Sequence, residues 1–315
     1  MSFSTVQHQR VRRRATRAAL AGLAGLMLAG CSVRQLAIKQ LGSALAESAG
    51  GAFAAESDIE FAGQAVPFSL KLIESLLLEQ PENKELLAAA AGGFTQYAYV
   101  WVQQPADFIE ADDFSRAQHE RERARAFYLR AHGYALRGLA AGDPRFGTLF
   151  LSSPAEALAR FSASDLPLLY WGAASLGAAI SLGKTEPELI ARQSQFAALL
   201  ERAFALNPDW ENGAVRELMM AYELARPGGS ADAVERARKQ FEKIVEMASG
   251  RRASPFVSFA ESVSIQEQDK KEFIELLNRA LAIDADRTPS SRLANVVAQQ
   301  RARWLLERVD DLFLE

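Results

Sequence analysis

The sequence predicts an all-α fold, a tetratricopeptide-like helical repeat solenoid. Three observations carry that expectation. Apolar residues recur at intervals of three and four almost without interruption after residue 57, and no segment alternates with the period of a strand. A recurring set ends in phase with helix terminators: Phe196, Leu200 and Ala203 precede Pro208 by 12, 8 and 5 residues, as Ala237, Phe241 and Ile244 precede Ser249 and Phe273, Leu277 and Ala280 precede Ala285. Ser69, Ile73 and Leu76 before Pro81 make a fourth, degenerate copy. This is the second half of a tetratricopeptide repeat, in which each helix pair has an apolar face that only a stacked neighbour covers.

The elements follow from local chemistry. Ser57-Asp58-Ile59-Glu60 has the spacing of a capping box, with Ser57 as N-cap and Glu60 at N3. Pro67 is expected to separate a short first helix from one carrying Leu70, Ile73, Leu76 and Leu77. Helices are expected over 83–104, 113–141, 154–160, 165–182, 186–206, 210–226, 230–248, 254–265, 269–283 and 290–312. Breakers stand between them at Gly142-Asp143-Pro144, Asn207-Pro208, Pro227-Gly228-Gly229 and Ser249-Gly250. Thr185-Glu186-Pro187-Glu188 has the form of a second capping box with proline in its first turn.

Ahead of this body, Arg10, Arg12, Arg13, Arg14 and Arg17 precede thirteen residues, Ala18 to Gly30, that are all Ala, Gly, Leu or Met. That is the layout of a secretory signal, and at ~20 Å it is too short to cross a bilayer. Leu28-Ala29-Gly30-Cys31 resembles a bacterial lipobox, whose cysteine thiol accepts diacylglycerol and becomes the mature N-terminus. Cys31 is the only cysteine in 315 residues, so its alternative reading is a small buried apolar residue. Ser32 in place of Asp favours outer-membrane anchoring, facing the periplasm. The chain is therefore expected to divide into a signal peptide (1–30), a lipidated N-terminus with an Ala/Gly/Ser tether (31–56) and a helical domain (57–315). Cys31→Ser is expected to release a soluble, folded protein. Cleavage removes five arginines and no acid, taking the net charge from −3 to −8. An acidic chain argues against nucleic acid as a partner.

No catalytic constellation or cofactor motif stands out, and the chain is not expected to be an enzyme. His119 and His132 lie on opposite sides of one expected helix and cannot share a metal from it. Asp112-Asp113 and Asp310-Asp311 sit at helix ends, where Asp112-Asp113 complements the dipole. Aromatic residues are more informative. Phe94, Tyr97 and Trp101 share a helical face, Tyr99 lies on another, Phe127, Tyr128 and Tyr134 follow on the next helix, and Tyr170-Trp171 open a run of Gly, Ala and Ser. Two readings stand: a core in which large residues face small ones, or a cavity walled by apolar rings with polar tips. Arg130 and Arg137, beside those tyrosines, have the spacing either to pair with Glu or to hold an acid group.

Residues 68–102 (FSLKLIESLLLEQPENKELLAAAAGGFTQYAYVWV), 123–139 (RARAFYLRAHGYALRGL), 168–180 (LLYWGAASLGAAI), 200–229 and 292–313 resemble the T component (TatT) of tripartite ATP-independent periplasmic (TRAP) transporters. The resemblance implies a periplasmic lipoprotein that binds the transporter's solute-binding protein, associates as a homotrimer and carries channels through its helical body. It places Phe94, Tyr97, Tyr128, Tyr170 and Trp171 in stretches that line such a channel. It implies no cofactor and no metal. The competing expectation is a repeat lipoprotein that serves outer-membrane or peptidoglycan assembly.

Overall fold

Caps and prolines set the boundaries of the helices in the computed structural model, which describes residues 51–314 apart from Pro227 and Ser230. The expected signal peptide, Cys31 and the tether up to residue 50 lie outside the described residues. The first long helix, α1 (Ile59–Glu79), starts one residue later than the expected box: Asp58 is the N-cap and accepts from the Phe61 amide at 2.9 Å. A carboxylate there satisfies an orphan donor and complements the positive end of the helix, while the Ser57 amide turns back to Glu56. Pro67 does not split α1 as expected. Ala62 and Val66 before it, and Leu70 and Leu77 after it, are buried, and that packing outweighs the one hydrogen bond the proline removes.

Asn83 caps α2 (Lys84–Ala98), accepting from the amides of Glu85 and Leu86. The expected continuous helix to 104 instead widens into a π turn at Tyr99–Gln103 and resumes as α3 (Gln104–Ile109). Pro105 supplies the reason, because in an unbroken α-helix its ring would clash with the Trp101 carbonyl. The wide turn, closed by Gln104 N–H to Tyr99 O, relieves that clash. Asp113 caps α4 (Phe114–Ala140), accepting from Arg116 N at 3.0 Å. A helix absent from the expectation, α5 (Phe146–Ser152), follows the Gly142 turn because Phe146 and Phe150 stack at 5.4 Å and are buried.

Then come α6 (Pro154–Leu158), α7 (Leu166–Leu182), α8 (Pro187–Ile190) and α9 (Gln193–Leu206). The second expected capping box does not form: the N-cap is Glu186, no side chain caps the four-residue α8, and the chain bends again at Arg192. The remaining helices are α10 (Trp210–Ala225), α11 (Ala233–Met247), α12 (Ser254–Phe259), which continues through a second π turn at Ala260–Ser264, α13 (Lys270–Leu281), α14 (Arg292–Glu307) and α15 (Val309–Leu312). No strand occurs among the described residues, so the fold is all-α.

The long α4 packs between α2 and α7, and the pairs α7/α9, α10/α11 and α13/α14 follow in chain order. The recurring positions Leu200, Ala203, Phe241, Ile244, Phe273, Leu277 and Ala280 are all buried, an arrangement compatible with stacked repeats. Each such Leu or Phe contributes about 2 kcal/mol by leaving water. Ile73 and Leu76 of the degenerate copy are only half-buried. The buried residues form two main cores. One joins Leu86, Leu139, Leu169, Leu199 and Met219; the other joins Met220, Phe241, Phe259, Phe273 and Ala302.

The final helices return to the first ones. Arg301 of α14 donates to Asp107 of α3 at 2.9 Å and to Glu261 of the second π turn at 2.7 Å, while Arg292 donates to the Ala55 carbonyl at 2.9 Å. Trp304 meets Phe108 with ring centroids 5.4 Å apart. The chain thus closes on itself across a separation of 194 residues.

Candidate ligand cavity

Closure leaves a partly open cavity of about 640 Å³ whose wall draws on both halves of the chain. Val66, Leu70 and Ile73 of α1 and Ala88, Ala89 and Gly92 of α2 face Val257 of α12 and Leu293 and Val297 of α14. The small residues of α2 make the space. A Cβ on Gly92 would come within 2.8 Å of the Trp171 indole, so only glycine lets that ring lie against α2. Trp101 packs similarly over Gly63, where a Cβ would come within 2.4 Å of its ring nitrogen.

Polar atoms on the α1/α2 side are turned back into the protein. Trp101 Nε1 donates to Ile59 O at 2.8 Å, Thr95 Oγ1 to Ala91 O at 2.7 Å and Ser69 Oγ to Ala65 O at 3.3 Å. What remains facing the space on that side is hydrocarbon and aromatic ring, apart from the amide of Gln96. A polar patch gathers instead around Glu217 of α10, whose carboxylate accepts from Arg252 Nη2 at 2.7 Å, Ser254 Oγ at 3.1 Å and Ser258 Oγ at 2.8 Å. Ser254 and Ser258 line the cavity, as do Tyr99, Tyr128 and Tyr170.

Burial, and then the Glu261 charge, push the Tyr99 phenol up to about 12, with Arg301 opposing. Burial, followed by Glu217, raises Tyr170, and burial raises Tyr128 well above the usual phenol range. All three stay protonated at neutral pH. Tyr128 spends its proton on Gln103 Oε1 at 2.6 Å. Among the lining residues there is no Lys, Arg, His, Asp, Glu or Cys, and no group of three potential metal ligands occurs among the described residues. This wall binds by shape, apolar contact and a few hydroxyls.

Of the residues singled out from sequence, Tyr128, Tyr170 and Trp171 stand on the cavity wall. Phe94 and Tyr97 do not. Phe94 stacks on Phe127 and Tyr134 at 6.0 and 5.8 Å, and Tyr97 meets Phe127 edge-on at 5.4 Å, so both hold α2 to α4 behind the wall. Arg130 lies 4.6 Å over the Phe94 ring and pairs with Glu74, which also accepts from Tyr134; Arg137 donates to Pro81 O. Cys31 lies outside the described residues. Sequence reasoning passed over the contribution of α12 and α14, and it put Tyr99 on a face of its own without seeing that Pro105 widens the next turn.

A family model described as TRAP transporter T-component matches residues 55–313 of the chain. An uncharacterized protein of Treponema pallidum (strain Nichols) is 31% identical over 307 residues, covering 92% of this chain and 95% of that protein.

Proposed function

The chain belongs to the TRAP transporter T-component family and so is a component of a tripartite ATP-independent periplasmic transport system; on that premise we propose that it is a lipid-anchored periplasmic scaffold that docks the system's solute-binding protein and receives a small apolar solute from it. The observation that carries this reading is the cavity of about 640 Å³, apolar on most of its wall and free of charged lining residues. Pockets of this size and character take small molecules.

Docking draws support from the outward face of α1, where Phe61 and Phe68 lie one heptad apart at 62% and 73% exposure. Two aromatic side chains left in water on one helix face suit contact with another protein. Association as a homotrimer belongs to the same proposal, by family resemblance. The lipobox ending at Cys31 supports anchoring, in the outer membrane and facing the periplasm. Membrane fractionation tests the anchor: the wild type should sediment with membranes and Cys31→Ser should not.

The test of docking is titration of the purified protein with a periplasmic solute-binding protein of a TRAP transporter from the same organism. Saturable binding that weakens about tenfold in Phe61→Ser/Phe68→Ser supports the scaffold, the loss expected from one buried aromatic anchor. Recovery of barrel-assembly or wall-synthesis proteins from solubilised envelopes, with no binding to the solute-binding protein, overturns it in favour of envelope assembly.

A further inference from the structure

We infer that the cavity selects amphipathic molecules whose head is uncharged and both donates and accepts hydrogen bonds, a hydroxyl or a primary amide, over the chain-matched carboxylate. The inference rests on the cavity reading above and adds to it the chemistry of the head. The α1/α2 side, where Ser69, Thr95 and Trp101 return their protons to the backbone and Gln96 alone keeps a free amide, suits a hydrocarbon body. The head therefore belongs at the patch around Glu217.

Proton bookkeeping at that patch decides what the head can be. Ser258 gives its hydroxyl proton to Glu217 and toward the cavity presents lone pairs alone, and Ser254 also gives its proton to Glu217 while its oxygen accepts from Arg252 Nη2 at 3.2 Å. Tyr170 is the complement, because its hydroxyl lines the patch and has no hydrogen-bond partner among the described residues. A ligand that donates to a serine oxygen and accepts from the Tyr170 hydroxyl completes the set. A hydroxyl or an amide does both, whereas a carboxylate only accepts, and it would set its charge against serine lone pairs with the Glu217 carboxylate behind them.

Nothing on the wall neutralises such a charge. The nearest cations are already committed: Arg252 to Glu217 and the Asn212 carbonyl, and Arg301 to Asp107 and Glu261. Bringing an anion into this largely apolar space without a partner of its own is costly.

The experiment is displacement of the neutral apolar fluorophore N-phenyl-1-naphthylamine from the purified protein at pH 8 by 1-decanol, decanamide or decanoate. Decanol and decanamide should displace it at concentrations about tenfold or more below decanoate, the scale of one hydrogen bond. Tyr170→Phe keeps the ring and, by removing the donor to the head, should weaken displacement by decanol and decanamide about fivefold or more with fluorophore affinity unchanged. Displacement by decanoate as good as by decanol overturns the head preference and leaves the cavity reading standing. Displacement by decanol and decanamide that is unchanged in Tyr170→Phe overturns the placement of the head at this patch. Failure of the fluorophore and all three competitors to bind removes the cavity reading itself, and the wild-type comparison decides the preference even where the variant folds poorly.

Discussion

His132 shows how much one side chain's surroundings determine. It is buried on α4, and Nδ1 donates to the Gly172 carbonyl on α7 at 2.9 Å, which fixes the tautomer. Nε2 is also buried and has no partner, so protonation would place an N–H where nothing accepts it. Burial, with Arg192 adding to it, lowers the imidazole to about 4, below the usual 6.5. Because the folded value lies below the unfolded one, the unfolded chain binds the extra proton between them. The stability from neutral His132 is thus complete above about pH 6.5 and is lost as pH falls toward 4. Chemical denaturation at pH 7.5 and 4.5 should show about 3 kcal/mol more acid loss in wild type than in His132→Leu. Equal acid loss in both would show that the ring is not held neutral. Its spacing from His119 was enough to argue against a shared metal; its service as a strut between α4 and α7 depends on a carbonyl 40 residues away, which no local pattern reveals.

At the scale of elements, the sequence marked most helix ends, because Asn83, Asp113, Pro208 and Gly250 act within a few residues of themselves. It misjudged how helices absorb irregularity. Pro67 sits inside α1, whereas Pro105 is accommodated by a π turn that carries Tyr99 and Trp101 to the cavity. The first turn of α10 is a further case: Glu211, Asn212 and Gly213 wind left-handed, with φ of 49°, 55° and 92°. That turn seats Trp210 at 4.9 Å from Tyr170 and presents the Asn212 carbonyl to Arg252 at 2.6 Å. Gly213 is required twice over, since a Cβ would also meet Met247 Cε at 3.1 Å. Gly213→Ala should lower stability by about 1–2 kcal/mol, read as a shift in denaturation midpoint with unchanged slope. A neutral result would mean that the turn is not strained for side chains.

At the scale of the whole molecule, ring closure makes the cavity. Arg301 is the keystone. Its side chain is 13% exposed, and it bridges Asp107, itself held by Arg121 at 2.8 Å, to Glu261 while lying 4.3 Å over the Trp304 ring. Burial works against the guanidinium's charge, but Glu261, Tyr99 and Asp107 outweigh it and keep its pKa above the usual arginine range. Arg301→Met removes the bridge and leaves Glu261 and Asp107 facing each other's half of the ring. It should cost about 3 kcal/mol, and it should speed release of a bound apolar probe, as stopped-flow fluorescence would record. Unchanged stability and release would mean that the apolar contacts close the ring without it. The helices were legible because each is a local amphipathic pattern. The closure was not, because it joins charges 194 residues apart and gives no periodic signal. The same holds for the cavity: Tyr128, Tyr170 and Trp171 stood out as aromatics beside small residues, but one side of the wall comes from Ser, Ala, Val and Leu on α12 and α14.

The cavity's occupancy by an apolar molecule tests the account most directly. Fluorescence titration of the purified protein with N-phenyl-1-naphthylamine should show one saturable site. Ala89→Phe, which builds a ring into the space beside Trp171, should weaken that site about tenfold or more while the thermal midpoint stays within a few degrees of wild type. Absence of saturable binding to the wild type, or equal binding by a folded Ala89→Phe, would contradict it.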